Sequence, residues 1–319
     1  MNQEEFHNIP KTMEREVPDY ILDEEKRIKR RKKKARRSFF KKISGWLFGL
    51  AASILYLNFE SNWLEVTRKK VFIPNLKNKF PLKILHLSDL HFSSSVSLQD
   101  IEIAMREGFA LHPDACLITG DFITKQKTNE KLEEYSKLLS KFARSVPIFA
   151  SLGNHDGGEW TGSRGGYTNS KKVEMMLKKA GIKLLHNQRE SIYLKGQALS
   201  IAGVGDLWSK TCLPQLCLIK KNNRTNPSPS LLLCHNPDAK ELLAPYQWDL
   251  MLCGHTHGGQ FKIPFFNWTP FAPVRDHSMV EGLHSWKGRQ IHITRGVGNL
   301  LGLRFNCRPE VSLLELTSA

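Results

Sequence analysis

Five short stretches of this sequence carry side chains able to hold metal ions or move protons. They are Ser88-Asp89-Leu90-His91, Gly120-Asp121, Gly153-Asn154-His155-Asp156, His235-Asn236 and Gly254-His255-Thr256-His257. A lone Asp-x-His or Gly-Asp says little, but all five in order form a ligand set. They offer carboxylate and amide oxygen with imidazole nitrogen, and no thiolate. Such a set suits Mn, Fe, Zn or Ni, and its donor types do not choose among them. The His-Thr-His pair is the most telling. Imidazoles at i and i+2 of an extended chain point in different directions, so they serve two neighbouring ions more readily than one. Five of the twelve histidines fall in these stretches; the others, such as His86 and His186, read as core or surface residues.

Something must bring these stretches together. Each follows a short apolar run that reads as a strand, over 82–87, 115–119, 146–152, 231–234 and 250–252. Helical spacing of apolar residues predicts helices over 96–110, 129–144 and 170–180, the first with Ser97 or Asp100 near its start. Further strands are expected over 199–204, 290–294 and 311–317. Strand-helix alternation followed by denser strands predicts an α/β fold, a four-layer α-β-β-α sandwich of two packed mixed sheets flanked by helices. Polar residues at successive C-terminal strand ends then converge on one edge.

At 319 residues the chain has room for one large α/β domain and an appendage. The net charge of +16 is not spread evenly: twelve Lys and Arg and no acid lie at positions 26–42, leaving +4 for the rest. Three segments follow: a polar then polybasic tail over 1–42, its first 25 residues expected to be mobile; an apolar helix over 43–59; and a catalytic body over 60–319. The seventeen residues of 43–59 carry no charge. As a helix they reach roughly 25 Å, short for a hydrocarbon core of about 30 Å. They fit a signal anchor, a helix lying in the interface with the basic run on anionic lipid, or an export signal around Arg36-Arg37; a buried core helix is the bland alternative. The segment is expected to sit in the cell (inner) membrane, with the side of the catalytic body open. The basic run directly precedes the apolar segment, which favours lipid over nucleic acid. No CxxC pair occurs among six cysteines, and pairing of Cys212 with Cys217 stays open.

The five stretches, spanning roughly 82–260, resemble the calcineurin-like metallophosphoesterases, whose motifs run D-x-H, G-D, G-N-H-D/E, a lone His and G-H-x-H. Positions 294–298 and 304–310 resemble the C-terminal signature of its membrane-linked bacterial branch. The resemblance implies that Asp89, His91 and His257 hold one divalent metal, that Asn154, His235 and His255 hold another, and that Asp121 bridges them, with Mn favoured. Two cations about 3.5–4 Å apart clamp a phosphate and lower the pKa of a shared water. It also implies that His155 donates to phosphate or protonates the leaving oxygen, with Asp156 fixing its tautomer; Asn154 and Asp156 as turn caps are the plainer reading. Thr124 departs from the Asp or Asn of many relatives, which bears on substrate detail.

The expected substrate is a phosphate-containing molecule, with a phosphodiester or pyrophosphate bond in a membrane lipid. Some membrane-associated relatives release UMP from UDP-2,3-diacylglucosamine in lipid A synthesis. The alternatives are a broad phosphodiesterase or nuclease, and an inactive metal-bound membrane scaffold, although none of the seven ligands is missing. Two loops flank the motifs. Positions 157–167 offer Arg164 to phosphate or a head group. Positions 261–271 hold five aromatics, read first as a packed lid and second as a lipid-facing wall.

Overall fold

A computed structural model of the chain describes residues 19–77, 80–221, 228–266 and 268–318. In chain order its elements are α1 (Asp19–Ser61), β1 (Glu65–Phe72), β2 (Leu82–Leu87), α2 (Leu98–Phe109), β3 (Ala115–Thr119), α3 (Asn129–Ala143), β4 (Ile148–Ser151), α4 (Glu159–Gly162) and α5 (Lys171–Lys179). Then follow β5 (Lys183–Leu184), β6 (Gln188–Leu194), β7 (Gln197–Gly203), β8 (Ser230–Leu233), β9 (Leu250–Cys253), β10 (Gly282–Trp286), β11 (Arg289–Ile293) and β12 (Glu310–Thr317).

The strands form two six-stranded mixed sheets, ordered β1-β12-β2-β3-β4-β5 and β10-β11-β9-β8-β7-β6. In the first, β2 to β5 run parallel and β12 opposes β2. In the second, β11, β9, β8 and β7 run parallel between antiparallel edges. Strands buried on both faces need apolar residues on both, and β2 supplies leucines and an isoleucine to each side, with Lys83 and His86 as its polar exceptions. Its Leu85 and Leu87 pack under α2, α3 and α5, while Leu82 and Ile84 face Leu231, Leu233, Leu250 and Leu252 of the other sheet. Truncating one such leucine to alanine costs about 2–5 kcal/mol. The outer face of the second sheet is covered by short 3-10 turns at Pro214–Leu216 and Pro237–Lys240, with Leu243 and Trp248 packed beside them. The fourth layer is therefore present but contains no long helix among the described residues.

Local chemistry sets the helix starts. The hydroxyl of Ser97 accepts from the Asp100 amide while the Asp100 carboxylate accepts from the Ser97 amide, closing a capping box before α2. Thr128 caps α3 through the Lys131 amide.

The N-terminal element differs from its expected bounds. The described chain divides into two compact units with the boundary between Leu55 and Tyr56. Residues 1–18 of the expected tail lie outside the described residues; from Asp19 the basic run and the apolar run form a single helix of 43 residues. Every residue of a charged run can be helical when the face carries no packing demand, and Lys and Arg are good helix formers. Within its own unit the apolar run is not packed as a core helix, since Trp46, Leu47, Phe48 and Leu55 are exposed. By length and composition α1 can cross a membrane. Its last turns, from Tyr56, belong to the catalytic unit: the Arg304 amide donates to the Leu57 carbonyl at 3.2 Å and the Ser61 hydroxyl to the Gly302 carbonyl at 3.0 Å.

Candidate metal centre

The five chemical stretches follow β2, β3, β4, β8 and β9 directly, so the two rows of parallel strands set them side by side. Their backbones are strained. Asp89, His91, Asp121, His255 and His257 have φ of 52°, 47°, 55°, 70° and 52°, in the left-handed region that costs a non-glycine residue about 1–3 kcal/mol. Hydrogen bonds between turns hold them there: Asp89 N to Gly120 O, His91 N to Asp121 O, and Gly254 N to His235 O, all at 2.9–3.0 Å. Two glycines permit the crowding. A Cβ at Gly254 would collide with Ser88 Oγ and the Asp89 carboxylate, and one at Gly153 with the Asp121 carboxylate.

The side chains converge. His91 Nε2 lies 3.2 Å from His257 Nε2, 3.4 Å from Asp121 Oδ2 and 3.7 Å from Asp89 Oδ1. His257 Nε2 is 3.5 Å from Asp89 Oδ1, and His235 Nε2 is 3.2 Å from Asp121 Oδ2. The ligand atoms of Asp89, His91 and His257 fall within 4.8 Å of one another, as do those of Asp89, Asp121 and His235, and of His91, Asp121 and His155. Asp121 therefore belongs to two groups. The His155 amide donates to Asp121 Oδ1 at 2.8 Å, which draws the Asn154 turn to the same carboxylate.

Backbone carbonyls fix the imidazoles, because a carbonyl only accepts. His235 Nδ1 donates to Thr119 O at 2.6 Å, which turns Nε2 toward Asp121. His155 Nδ1 donates to Thr124 O at 2.9 Å. The Thr124 hydroxyl donates to His91 O at 3.3 Å and so accepts from His91 Nδ1 at 3.1 Å, which turns His91 Nε2 into the site. Burial holds His91 and His257 down to about 3, with Asp121 and Asp89 only partly offsetting it, so both rings are neutral and carry lone pairs. Burial also lowers His235, but its attraction to the carboxylates of Asp121 and Asp89 outweighs that and raises it well above the usual value.

Three sequence expectations change. Asp156 does not orient His155. Its buried carboxylate accepts from the amides of Asp121 at 2.8 Å, Phe122 at 2.7 Å and Gly153 at 2.9 Å, so it ties the second turn to the third. Burial and then Asp121 push it up to about 8, opposed by the amides of Gly153 and Phe122 and by His235. Arg164 does not reach into the site; it donates to Trp160 O at 2.6 Å and lies 4.4 Å over the Trp160 ring. The 261–271 segment is not a packed lid, since Phe265, Phe266, Trp268 and Phe271 are all exposed; Asn267 lies outside the described residues.

Sequence reasoning also missed residues. Trp160 packs edge-on against His155 and Trp208 against His255, at 4.9 and 4.3 Å between centroids, and the two indoles are 5.3 Å apart. They wall one side of the site. Arg304, fully buried, donates to the carbonyls of His257, Cys307, Arg295, Gly296 and Gly298. All six cysteines are free thiols, Cys212 and Cys217 included.

The donor set fits divalent cations. Asn154 Oδ1, His235 Nε2 and His255 Nε2 are buried without a hydrogen-bond partner among the described residues. Each such atom costs about 1–3 kcal/mol unless something satisfies it, and all three are ligand types, although only His235 falls in one of the close groups of ligand atoms. The Nε2 atoms of His91 and His257, 3.2 Å apart beside the Asp89 carboxylate, make a further group of ligand atoms close enough to share one cation.

Known proteins agree with this geometry. The family model described as calcineurin-like phosphoesterase matches residues 82–259. The chain is 41% identical to phosphodiesterase YaeI of Escherichia coli, over 81% of this chain and 90% of that one. It is 30% identical to the uncharacterized metallophosphoesterase YkuE of Bacillus subtilis, over 90% and 99%. It is 27% identical to UDP-2,3-diacylglucosamine pyrophosphatase LpxG of Chlamydia trachomatis, over 80% and 90%. Strand-end turns, ligand convergence and these matches lead to one assignment: the chain belongs to the calcineurin-like phosphoesterase family, and it is a metallophosphoesterase that hydrolyses phosphoester bonds.

Proposed function

We propose that this chain is a membrane-anchored phosphoesterase with a dinuclear centre, cleaving a phosphodiester or pyrophosphate bond in a lipid-linked substrate. UDP-2,3-diacylglucosamine, with release of UMP, is the leading specific candidate. The observation that carries the dinuclear reading is Asp121, whose carboxylate lies near both His91 and His235. Asp89, His91 and His257 would hold one divalent ion, Asn154, His235 and His255 the other, with Asp121 shared. Manganese is the favoured occupant. When bound, the pair supplies Lewis acidity to the phosphate and lowers the pKa of a water to be used as nucleophile.

The protein's own groups do the rest. Thr119, Thr124 and Asp156 hold the ligating turns in one geometry, so no reorganisation is needed at the moment of reaction. His155, its Nδ1 engaged by Thr124 O, offers Nε2 to the phosphate or the leaving oxygen. Trp160 and Trp208 keep bulk water from one flank. The lipid assignment draws on α1 and on the relationship to LpxG, a pyrophosphatase for that lipid by name. It requires the catalytic unit to face the cytoplasm, and so 43–59 to lie in the interface of the inner membrane and not to span it. A spanning helix preceded by a cytoplasmic basic run would carry the body to the far side.

A broader phosphodiesterase is the second reading, favoured by the 41% identity to YaeI. Metal analysis and turnover of detergent-purified full-length protein test both. Two metals per chain, hydrolysis of a bis-aryl phosphodiester and UMP release from the nucleotide-lipid are expected with Mn²⁺. Hydrolysis of the diester without UMP release leaves the second reading. Asp121→Ala should abolish turnover and reduce bound metal; surviving activity would sink the dinuclear centre.

A further inference from the structure

The segment after the metal-site turn forms a hairpin whose tip is apolar and open to solvent. Ile263 N donates to Trp268 O at 2.8 Å and closes the hairpin. Phe265, Phe266, Trp268 and Phe271 are 102%, 80%, 57% and 70% exposed, and Leu301 of a neighbouring loop is 74% exposed. Positions 263–274 contain no charged residue. Scattered exposed hydrophobics are ordinary, but a cluster of large ones marks a contact surface. Aromatic residues with one apolar body and a polar edge, as Trp268 has, favour the boundary between lipid and water.

What covers this tip follows from where it is rooted. The Lys262 amide donates to Phe305 O at 2.9 Å, the Phe305 amide to Gln260 O at 3.0 Å, and the Leu300 amide to Gln260 Oε1 at 3.4 Å. The same 300–305 segment seats the end of α1. Tyr56 stacks edge-on against Phe305, Arg304 N donates to Leu57 O, and Ser61 Oγ donates to Gly302 O. The uncharged run 43–59 therefore ends on the segment from which the hairpin hangs. A bilayer that takes up the run reaches the catalytic unit at the hairpin's base.

We propose that the tip formed by Phe265, Phe266, Trp268 and Phe271, with Leu300 and Leu301, is a second membrane contact that sinks into the interface of a phospholipid bilayer. It holds the mouth of the metal centre at the lipid surface, because only Gly258 and Gly259 separate His257 from Gln260 at the hairpin's root, and buried Thr269 packs against Gly259. This rests on the membrane reading of 43–59 and is independent of the substrate's identity.

The test uses full-length protein in vesicles of phosphatidylcholine and phosphatidylglycerol. Single cysteines introduced as Phe266→Cys, Trp46→Cys and Tyr193→Cys are labelled with an environment-sensitive fluorophore, against unlabelled background from the native thiols. Tyr193 lies exposed on β6, at the opposite edge of its sheet from β10. A blue-shifted label at 266, quenched by lipids brominated near the headgroup, with an unshifted label at 193, is expected. A label at 46 in lipid with one at 266 in water would overturn the second contact alone. Both in water would overturn the anchor as well. Shielding at 266 that rises only with protein density would place a second copy of the chain on the hairpin and overturn the bilayer as its occupant.

Discussion

Thr124 acts on two imidazoles by different atoms. Its carbonyl accepts a hydrogen bond from His155 Nδ1, while its hydroxyl bridges the ring and backbone of His91. The sequence reading connected this position with substrate detail, because relatives differ there. The contact with His91 connects it with metal affinity instead. Thr124→Val removes the hydroxyl and keeps the carbonyl, so it separates the two roles. The expected result is metal affinity weakened by about 10-fold, near the low end for groups that orient a ligand. Thr124→Ser should restore it. Titration of metal against a competing chelator reads the change directly, and unchanged affinity in the valine variant would remove Thr124 from the centre. Asp156 teaches a related lesson: a carboxylate beside a candidate catalytic histidine need not serve that histidine, and here it accepts three amides from two turns.

The elements that carry the ligands were legible because they are central strands. Residues of β2, β3, β4, β8 and β9 are buried on both faces, and such strands leave a continuous apolar run in the sequence. The strands that went unread are β1, β5, β6 and β10, and all four are sheet edges. Edge strands face solvent on one side and carry charge and polar residues, as in Glu65-Val66-Thr67-Arg68-Lys69-Lys70, so no apolar pattern marks them. The ligand turns were legible for the same reason as their strands. Their supports were not, since Thr119 and Thr124 act partly through backbone oxygens, which have no signature in side-chain type. Arg304 is the clearest case. It bolts the 295–307 segment to the His257 carbonyl with five backbone acceptors, and burial pulls its own pKa below the usual value without making it neutral. A lysine offers three donors from one point and cannot reach five carbonyls. Arg304→Lys is therefore expected to destabilise the fold by about 2–4 kcal/mol, the scale for breaking a buried charged network. Bound metal should reduce the deficit, because the metal holds His257 from the other side. Thermal unfolding with and without Mn²⁺ checks both parts; equal melting of variant and wild type would refute the bolt.

Across the whole molecule, the two sheets meet at a histidine pair that the candidate centre does not use. His86 of β2 and His292 of β11 alternate with inward and outward leucines and isoleucines so that both point between the sheets, with Nδ1 atoms 2.9 Å apart. Only one of these nitrogens can donate, so the contact needs at least one neutral ring and is lost when both are protonated. Burial, then the neighbouring ring, holds His86 well below its ordinary value, and burial, partly offset by Glu310, holds His292 near 4. The unfolded chain takes up protons near the ordinary histidine value of about 6.5, whereas folded His292 refuses one until roughly pH 4 and folded His86 stays neutral well below its ordinary value. Stability is therefore full above about pH 6.5 and falls as pH drops toward 4, by up to about 1.4 kcal/mol per pH unit for each histidine. Metal loss at low pH would give a similar trend, so the measurement belongs in chelator, with urea unfolding at pH 7, 6, 5 and 4.5. His292→Gln keeps a hydrogen-bonding partner for His86 and removes one titrating ring, so its stability should fall less steeply with acid than wild type. Parallel slopes for the two proteins would show that acid attacks elsewhere, and that the sheet interface tolerates a charged pair.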